Sequence, residues 1–136
     1  MVRDSVRPTI ATVFGVLNII FGEYGVIGLF NIKNTFYFSG TFFGIISIVS
    51  GLVLILLFVA GIFLIMNKGR ALSLNRYYAY ASLTITVVGI VYLFYKFGFT
   101  GMMGNIVAIV IGVIYPPIIL FVLLKNREVL SFYRSA

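Results

Sequence analysis

The stretch TFFGIISIVSGLVLILLFVAGIFLIM, residues 41 to 66, decides the fold of this protein. It contains no charged residue and exceeds the roughly 20 residues with which an α-helix crosses about 30 Å of hydrocarbon. A chain inside a bilayer must pair every backbone N–H and C=O internally, which favours a helix. The stretch also lacks the alternation of apolar and polar residues that a membrane β-barrel strand requires. Residues 41 to 66 therefore predict a transmembrane helix.

Three further apolar runs have a similar length, namely Thr9 to Phe30, Tyr77 to Tyr95 and Asn105 to Leu124. The chain has 136 residues, of which 62% are hydrophobic and 10% are charged, whereas soluble domains carry about 25% charged residues. We predict an all-α protein, a bundle of four transmembrane helices that forms a single membrane domain over residues 1 to 136. The first run is longer than the apolar region of a signal peptide, so we expect it to be a retained span.

Basic residues cluster at one end of the predicted spans. Eight of the ten Lys and Arg residues lie in the N-terminal segment, the 67 to 76 connection and the tail: Arg3, Arg7, Lys68, Arg70, Arg76, Lys125, Arg127 and Arg134. The other two connections carry Lys33 and Lys96. Positive charge beside a span resists translocation, so both termini are predicted to be cytoplasmic, in a multi-pass protein of the bacterial cytoplasmic membrane. The net charge of +7 is then a topology signal, and membrane lipids rather than nucleic acid are the expected partners.

Small residues recur within the runs at steps of three and four. Helices in lipid cohere through close approach along small residues and through hydrogen bonds between helices. Asn18 lies within the series of the first run and is predicted to supply such a bond. The predicted packing glycines are Gly15, Gly22 and Gly25 in the first run, Gly44 and Gly51 in the second, and Gly104 and Gly112 in the fourth.

The fourth run is interrupted by Pro116 and Pro117. Prolines in mid-span free backbone carbonyls and are predicted to kink the helix. Two interpretations of this kink are open: it allows ordinary packing in the bundle, or it lines a path for a substrate. The tail NREVLSFYRSA, residues 126 to 136, mixes charged and apolar residues and predicts a short helix along the membrane surface.

Glu23 is the carboxylate that interrupts the first run. It lies about 21 Å along the helix from Thr9, in the half of the span away from the N-terminus. A charge in the bilayer centre costs about 2.5 to 3.5 kcal/mol, so the carboxylate pairs, reaches water or stays protonated. Lys96 borders the third run and could form an ion pair with Glu23. The tyrosines near Lys96 are weaker partners, and Lys33 could reach back from the loop. Snorkelling to the interface and proton or cation coupling are the other two interpretations.

The absence of Cys and His excludes thiolate nucleophiles and the usual zinc, copper and haem sites. We therefore expect no catalytic residue, cofactor or metal. The predicted function is that of a non-enzymatic structural or accessory unit, which packs with itself or with other membrane-protein subunits. The alternative is a small oligomeric transporter that uses Glu23, because small multidrug-resistance transporters also have four spans and a glutamate in the first.

Three segments of the chain are similar to a family of small uncharacterised bacterial four-span membrane proteins: RPTIATVFGVLNIIFG, GRALSLNRYYAYASL and IYPPIILFVLLKNREVLSFYR. The family pattern is an RP-x-x-x-x-VFG-x-LN start, a basic GR turn and an NR-x-V ending, and the resemblance implies the topology but no reaction. The first and third spans also resemble each other, as do the ends of the second and fourth. This resemblance predicts a tandem repeat of two hairpins.

The charge distribution makes a prediction about topology. Reporters fused at Met1, Asn75 and Ala136 should report a cytoplasmic location, and one inserted near Asn34 should not. A reporter from the 67 to 76 connection that is active outside the cell would contradict the arrangement of all four spans.

Overall fold

The computed structural model describes residues 7 to 135, so Met1, Arg3 and Ala136 of the topology prediction lie outside the described residues. Its helices are α1 Thr9–Phe30, α2 Ile32–Ser39, α3 Thr41–Ile65, α4 Ala71–Met103, α5 Ile106–Leu123 and α6 Arg127–Arg134. Four of them, α1, α3, α4 and α5, are long and apolar enough to cross a membrane, and they pack as a bundle. The predicted fold class is confirmed: this is a small multi-pass membrane protein.

The third span begins earlier than the sequence predicts. Helix α4 starts at Ala71, so the predicted connection over 67 to 76 is wrong for its second half. Asn75 is buried inside this helix, and the reporter of the topology experiment therefore belongs at Gly69, in the connection before it. The helix is interrupted at Gly98, where a φ of 62° and a ψ of −154° lie in a region that glycine alone occupies readily.

The four spans form a ring in the order α1, α3, α4 and α5. Helix α1 packs along α3, α3 packs on α4, and α4 packs on α5, while the contact between α5 and α1 is concentrated at Ile119–Leu123. The two predicted hairpins are thus the packed pairs α1 with α3 and α4 with α5, and the repeat between them stays a prediction. We call the end of the bundle that carries α6 the α6 end, and the opposite one the α2 end.

Glycines bring α1 and α3 into backbone contact. A Cβ atom added at Gly22 would lie 2.5 Å from the Phe58 Cβ and 2.7 Å from the Phe58 Cα, closer than atoms can approach. Gly25 faces Leu54 in the same way. The series predicted in the first span therefore faces α3, where any larger residue would push the helices apart.

Gly61 belongs to the same interface, although it is not among the packing glycines predicted from the sequence. A Cβ atom there would lie 2.7 Å from the Gly15 carbonyl oxygen and 2.8 Å from the Asn18 Cβ. Like Gly51, which lies ten residues earlier in α3, Gly61 contacts α1. Gly15 and Gly61 thus form the crossing nearest the α6 end.

The remaining predicted glycines have different surroundings. Gly51 faces Leu29 of α1, whereas Gly44 faces the Phe36 ring of α2. Gly112 faces Thr86 of α4, and an added Cβ at Gly104 would find its nearest atom 3.9 Å away, in its own segment. Gly104 is therefore not at a helix crossing.

Side chains close the α6 end by capping the last carbonyls of α3. The Arg7 guanidinium donates to the Ile65 oxygen at 2.7 Å, and the Tyr133 hydroxyl donates to the Leu64 oxygen at 2.6 Å. Asn67 follows the helix with a φ of 56°, and the Lys68 N–H reaches back to the Phe63 oxygen at 2.9 Å. This is the left-handed cap of a Schellman motif, and together these donors satisfy carbonyls that a helix end leaves free.

Helix α6 docks against this end of the bundle. The Asn126 side chain accepts from the Val129 N–H at 3.1 Å and so caps its first turn. Val129 and Tyr133 are buried against the core. Burial raises the pKa of the Tyr133 hydroxyl, against the influence of nearby Arg7, so the hydroxyl keeps the proton that it donates to Leu64. The short helix predicted in the tail is present, with one face held by protein.

Two glycines of α1 offer a matched test of this packing. Gly22→Ala should lower the free energy of unfolding by roughly 1 to 3 kcal/mol or more, because the new methyl group meets Phe58. Gly28 is exposed and has nothing within 4 Å of an added Cβ, so Gly28→Ala should be neutral or stabilise by up to about 1 kcal/mol. Thermal unfolding in detergent measures both, and equal effects would contradict the described crossing of α1 and α3.

Candidate functional site

Three buried polar side chains meet between α1, α4 and α5. The Asn18 amide nitrogen donates to the Asn75 side-chain oxygen at 2.7 Å, and the Tyr115 hydroxyl donates to the Asn18 side-chain oxygen at 2.5 Å. The Asn75 amide nitrogen in turn donates to the Ala71 carbonyl oxygen at 2.8 Å. Asn18 and Asn75 are fully buried, and we call the trio Asn18, Asn75 and Tyr115 the polar network.

The polar network joins three helices and leaves its members satisfied. Among the described residues, no buried side-chain nitrogen or oxygen lacks a hydrogen-bond partner. A buried amide without partners costs about 1 to 3 kcal/mol, so the network specifies how the three helices are rotated. Two rings of α1 add to it, because Phe21 packs edge-on against Tyr115 at 4.8 Å between centroids and Phe14 lies at 6.1 Å.

Asn18 was predicted to bond between helices, and its partners Asn75 and Tyr115 were missed. Asn75 was assigned to a loop because polar residues surround it in the sequence. A signal was nevertheless present, because the inward face of α4 follows steps of three and four residues. This series consists of Ala71, Asn75, Tyr78, Ser82, Thr86, Gly89 and Leu93.

Helix α5 departs from α-helical geometry around its two prolines. Val110–Ile114 and Ile119–Leu123 are π-helical, and the segment between them, Tyr115–Ile118, is α-helical. Pro116 and Pro117 carry no N–H, so the main chain cannot supply the usual donors here. The kink predicted at the prolines stays a prediction. The structure shows a widened helix on either side of them, a geometry that is frequent at functional sites.

The prolines leave two carbonyl groups without a main-chain donor. The Gly112 oxygen loses both candidates, because Pro116 and Pro117 stand four and five residues later. The Ile111 oxygen could accept from the residue four or five positions later. The Tyr115 N–H, four positions later, is already bonded to the Val110 oxygen, and Pro116, five positions later, has no N–H. Inside a bilayer such groups need a partner from another helix.

Helix α4 supplies these partners. The Tyr78 hydroxyl donates to the Ile111 oxygen at 2.9 Å, and the Ser82 hydroxyl donates to the Gly112 oxygen over a longer 3.4 Å. Tyr78 and Ser82 stand four residues apart, on one face of the helix. Two side chains of α4 thus replace two main-chain donors of α5.

A cavity of about 530 Å³ lies between the helices toward the α2 end. Its walls come from α1, α3, α4 and α5, and Thr35 of α2 reaches its rim. Tyr24 and Gly28 of α1 form one edge, whereas Ile106 and Val107 of α5 form another. These edge residues are exposed, and α5 meets α1 mainly at the opposite end, so the cavity opens sideways between α1 and α5.

The lining is mostly apolar but contains hydroxyl groups. Ser47 and Ser50 contribute from α3, and Thr86 and Ser82 contribute from α4. Among residues 7 to 135, no Asp, Glu, Lys or Arg lines the cavity. A binding site with these walls suits an uncharged, largely apolar molecule.

Glu23 and Lys96 are not brought together. Glu23 is exposed on α1, outside the cavity and the polar network. The Lys96 ammonium donates to the Tyr92 hydroxyl of its own helix at 3.2 Å and lies 5.6 Å from the Tyr92 ring centroid. Within the described part of the chain, the predicted ion pair between Glu23 and Lys96 is therefore not formed: both side chains are exposed, and Lys96 bonds within its own helix instead.

No family model matches this chain, and no curated protein or solved structure does.

The bonds between α4 and α5 make a prediction about coupling. Tyr78→Phe should lower the free energy of unfolding by roughly 1 to 3 kcal/mol, because the Ile111 oxygen loses its donor. In a chain carrying Pro116→Ala and Pro117→Ala the same change should cost less, since restored N–H groups can pair with the freed carbonyls. Tyr80→Phe is the control, because Tyr80 is exposed. If the effects of Tyr78→Phe and of the two proline changes on the free energy of unfolding were additive, the Tyr78 hydroxyl would not be replacing a main-chain donor of α5.

Proposed function

We propose that this protein is a non-enzymatic accessory unit of a membrane assembly and that its first partner is a second copy of itself. The observation that carries the proposal is the outward position of Glu23 on α1. A carboxylate that faces lipid is costly, and a helix from another molecule can supply it with a hydrogen-bond partner. The cytoplasmic membrane of a bacterium, with both termini inside, is the proposed setting.

The face of α1 that carries Glu23 has the spacing of a helix-packing seam. We call it the α1 contact surface, and it consists of Val13, Val16, Ile20, Glu23, Ile27 and Phe30. These residues follow one another at steps of three and four, the heptad spacing that keeps one stripe facing a partner helix. Their exposed fractions run from 46% at Val16 to 84% at Phe30 among the apolar members, so no other described residue covers this surface.

Symmetry explains why a second copy suits this surface. Two copies inserted in the same direction are related by a two-fold axis along the membrane normal, and each residue near that axis faces its counterpart. Glu23 then meets Glu23 of the second copy at the same depth. One carboxyl that carries a proton can donate a hydrogen bond to the other, so the two groups satisfy each other without a basic partner.

The interior supports a non-catalytic role. Its polar groups are amides, phenols and hydroxyls, and those of the polar network are engaged with one another. Proton-coupled transport would need a titrating group on the path of the solute. Glu23 lies outside the cavity, which is why we place the transport alternative second.

The cysteine-free chain allows a direct test by disulfide cross-linking. Ile20→Cys lies on the α1 contact surface and should form a cross-linked dimer in bilayers, whereas Val88→Cys on the exposed side of α4 should not. Adding Glu23→Gln should preserve the cross-link, because an amide still forms hydrogen bonds between helices, and Glu23→Leu should weaken it.

Each result decides for or against the second copy as partner. Equal cross-linking of both cysteine variants would indicate random collision and contradict the α1 contact surface. A cross-link from Ile20→Cys to a different protein would replace the second copy with a larger complex. Uptake of cations that depends on pH and disappears with Glu23→Gln would favour the transport alternative.

A further inference from the structure

The cavity toward the α2 end differs from ordinary packing gaps in its size and in its hydroxyl groups. Its volume of about 530 Å³ lies within the range of about 300 to 1,000 Å³ that small-molecule sites occupy. Close-packed protein interiors leave few voids larger than a water molecule. We therefore expect a space of this size inside a bundle of four spans to hold a ligand.

Three hydroxyl groups face this space without a partner in the protein. In the described chain, the side chains of Ser47, Ser50 and Thr86 line the cavity and donate no hydrogen bond to another residue. Thr84, which lies on the exposed side of the same helix as Thr86, instead donates to the Tyr80 carbonyl oxygen at 3.0 Å. Hydroxyls in membrane helices commonly bond back to their own helix in this way. The cavity hydroxyls remain available to a ligand.

The depth of these hydroxyls fits a molecule with polar atoms along an apolar body. Ser47 and Ser50 lie about 9 and 14 Å along α3 from Thr41, at the α2 end. Thr35 and Asn105 line the cavity closer to that end. The polar groups of the lining thus extend from the α2 end toward the middle of the bundle. The isoleucine, valine and leucine side chains of the lining offer contact to hydrocarbon.

The side opening shows from where the occupant comes. The gap between Tyr24 and Gly28 on one side and Ile106 and Val107 on the other faces the bilayer. A molecule dissolved in the membrane can enter there without crossing water. In the part of the chain that the structure describes, no charged residue belongs to the lining. This disfavours a carboxylate, phosphate or ammonium group, because a buried charge needs a partner.

We propose that the cavity binds a neutral single-chain amphiphile from the bilayer, with a carbonyl or hydroxyl group that the hydroxyls of Ser47, Ser50 and Thr86 recognise. The hydrocarbon chain lies against the apolar walls and leaves through the opening between α1 and α5. The assignment is independent of the α1 contact surface, because Glu23 does not line the cavity.

The probe is a monoacylglycerol with a diazirine in its acyl chain, photoactivated in phosphatidylcholine nanodiscs that contain the full-length protein. We expect label on the segments of α3 and α5 that line the cavity. Unlabelled monoolein should compete, whereas oleate, which carries a carboxylate, should compete about tenfold less well, a difference of about 1.4 kcal/mol. Label spread evenly over the lipid-facing residues would overturn the proposal, and so would better competition by oleate.

Two variants close the opening from opposite sides. Gly28→Phe adds a ring on α1, where nothing lies within 4 Å of a new Cβ. Ala108→Phe adds a ring on α5, at an exposed position of the cavity lining. Both should lower labelling about tenfold or more, equivalent to at least 1.4 kcal/mol. Val88→Phe, on the exposed face of α4 away from the cavity, is the control and should label as the native chain does. Unchanged labelling in the two blocking variants, with native thermal unfolding, would overturn the site.

Removal of the hydroxyls tests recognition of the polar group without a change of shape. Ser50→Ala and Thr86→Val should each weaken competition by monoolein about two- to tenfold, the loss of one hydrogen bond. Thr84→Val is the matched control outside the cavity. If Ser50→Cys reacts freely with a water-soluble thiol reagent and monoolein gives no protection, the cavity holds water and the proposal fails.

Discussion

A carbonyl group inside a bilayer must find its donor within the protein, and Pro116 and Pro117 remove such donors from the middle of α5. The Tyr78 and Ser82 hydroxyls supply the missing donors to the Ile111 and Gly112 oxygens. They also orient α4, because donors on one face of a helix can reach a neighbour in only one rotation. The same rotation turns Asn75 toward Asn18 and Thr86 toward the cavity. The proline pair thus governs the polar interior of the bundle.

The two ends of the molecule are built differently. At the α6 end, Arg7 and Tyr133 cap the last carbonyls of α3, and α6 covers the core with Val129. Toward the α2 end, α5 diverges from α1 and leaves the cavity between them. Backbone contact between α1 and α3 at Gly22 makes that pair a stiff wall. A closed end and an open side are what a membrane protein needs to admit a lipid-soluble molecule while keeping its shape.

Helix α1 has two different faces, one packed against α3 and one exposed. Gly15, Gly22 and Gly25 face α3, whereas Glu23 and its apolar neighbours face outward. Residues 22 and 23 are adjacent in sequence and about 100° apart around the helix, so the carboxylate is exposed because the glycine is buried. This geometry connects the packing of the single chain with the proposed assembly.

The apolar runs alone determined the all-α class and the existence of four spans, because hydropathy measures the transfer of each residue into lipid. The small-residue spacing likewise indicated which face of α1 packs. Sequence reasoning placed the start of α4 too late, since Asn75 and Arg76 lower the hydropathy although Asn75 is buried in protein. Only the tertiary structure decided that Asn75 and Tyr115 meet Asn18, that Lys96 stays with Tyr92, and where the cavity lies. The physical reason is that lipid is as apolar as the bundle core, so hydrophobicity cannot tell the inward face of a span from the outward one.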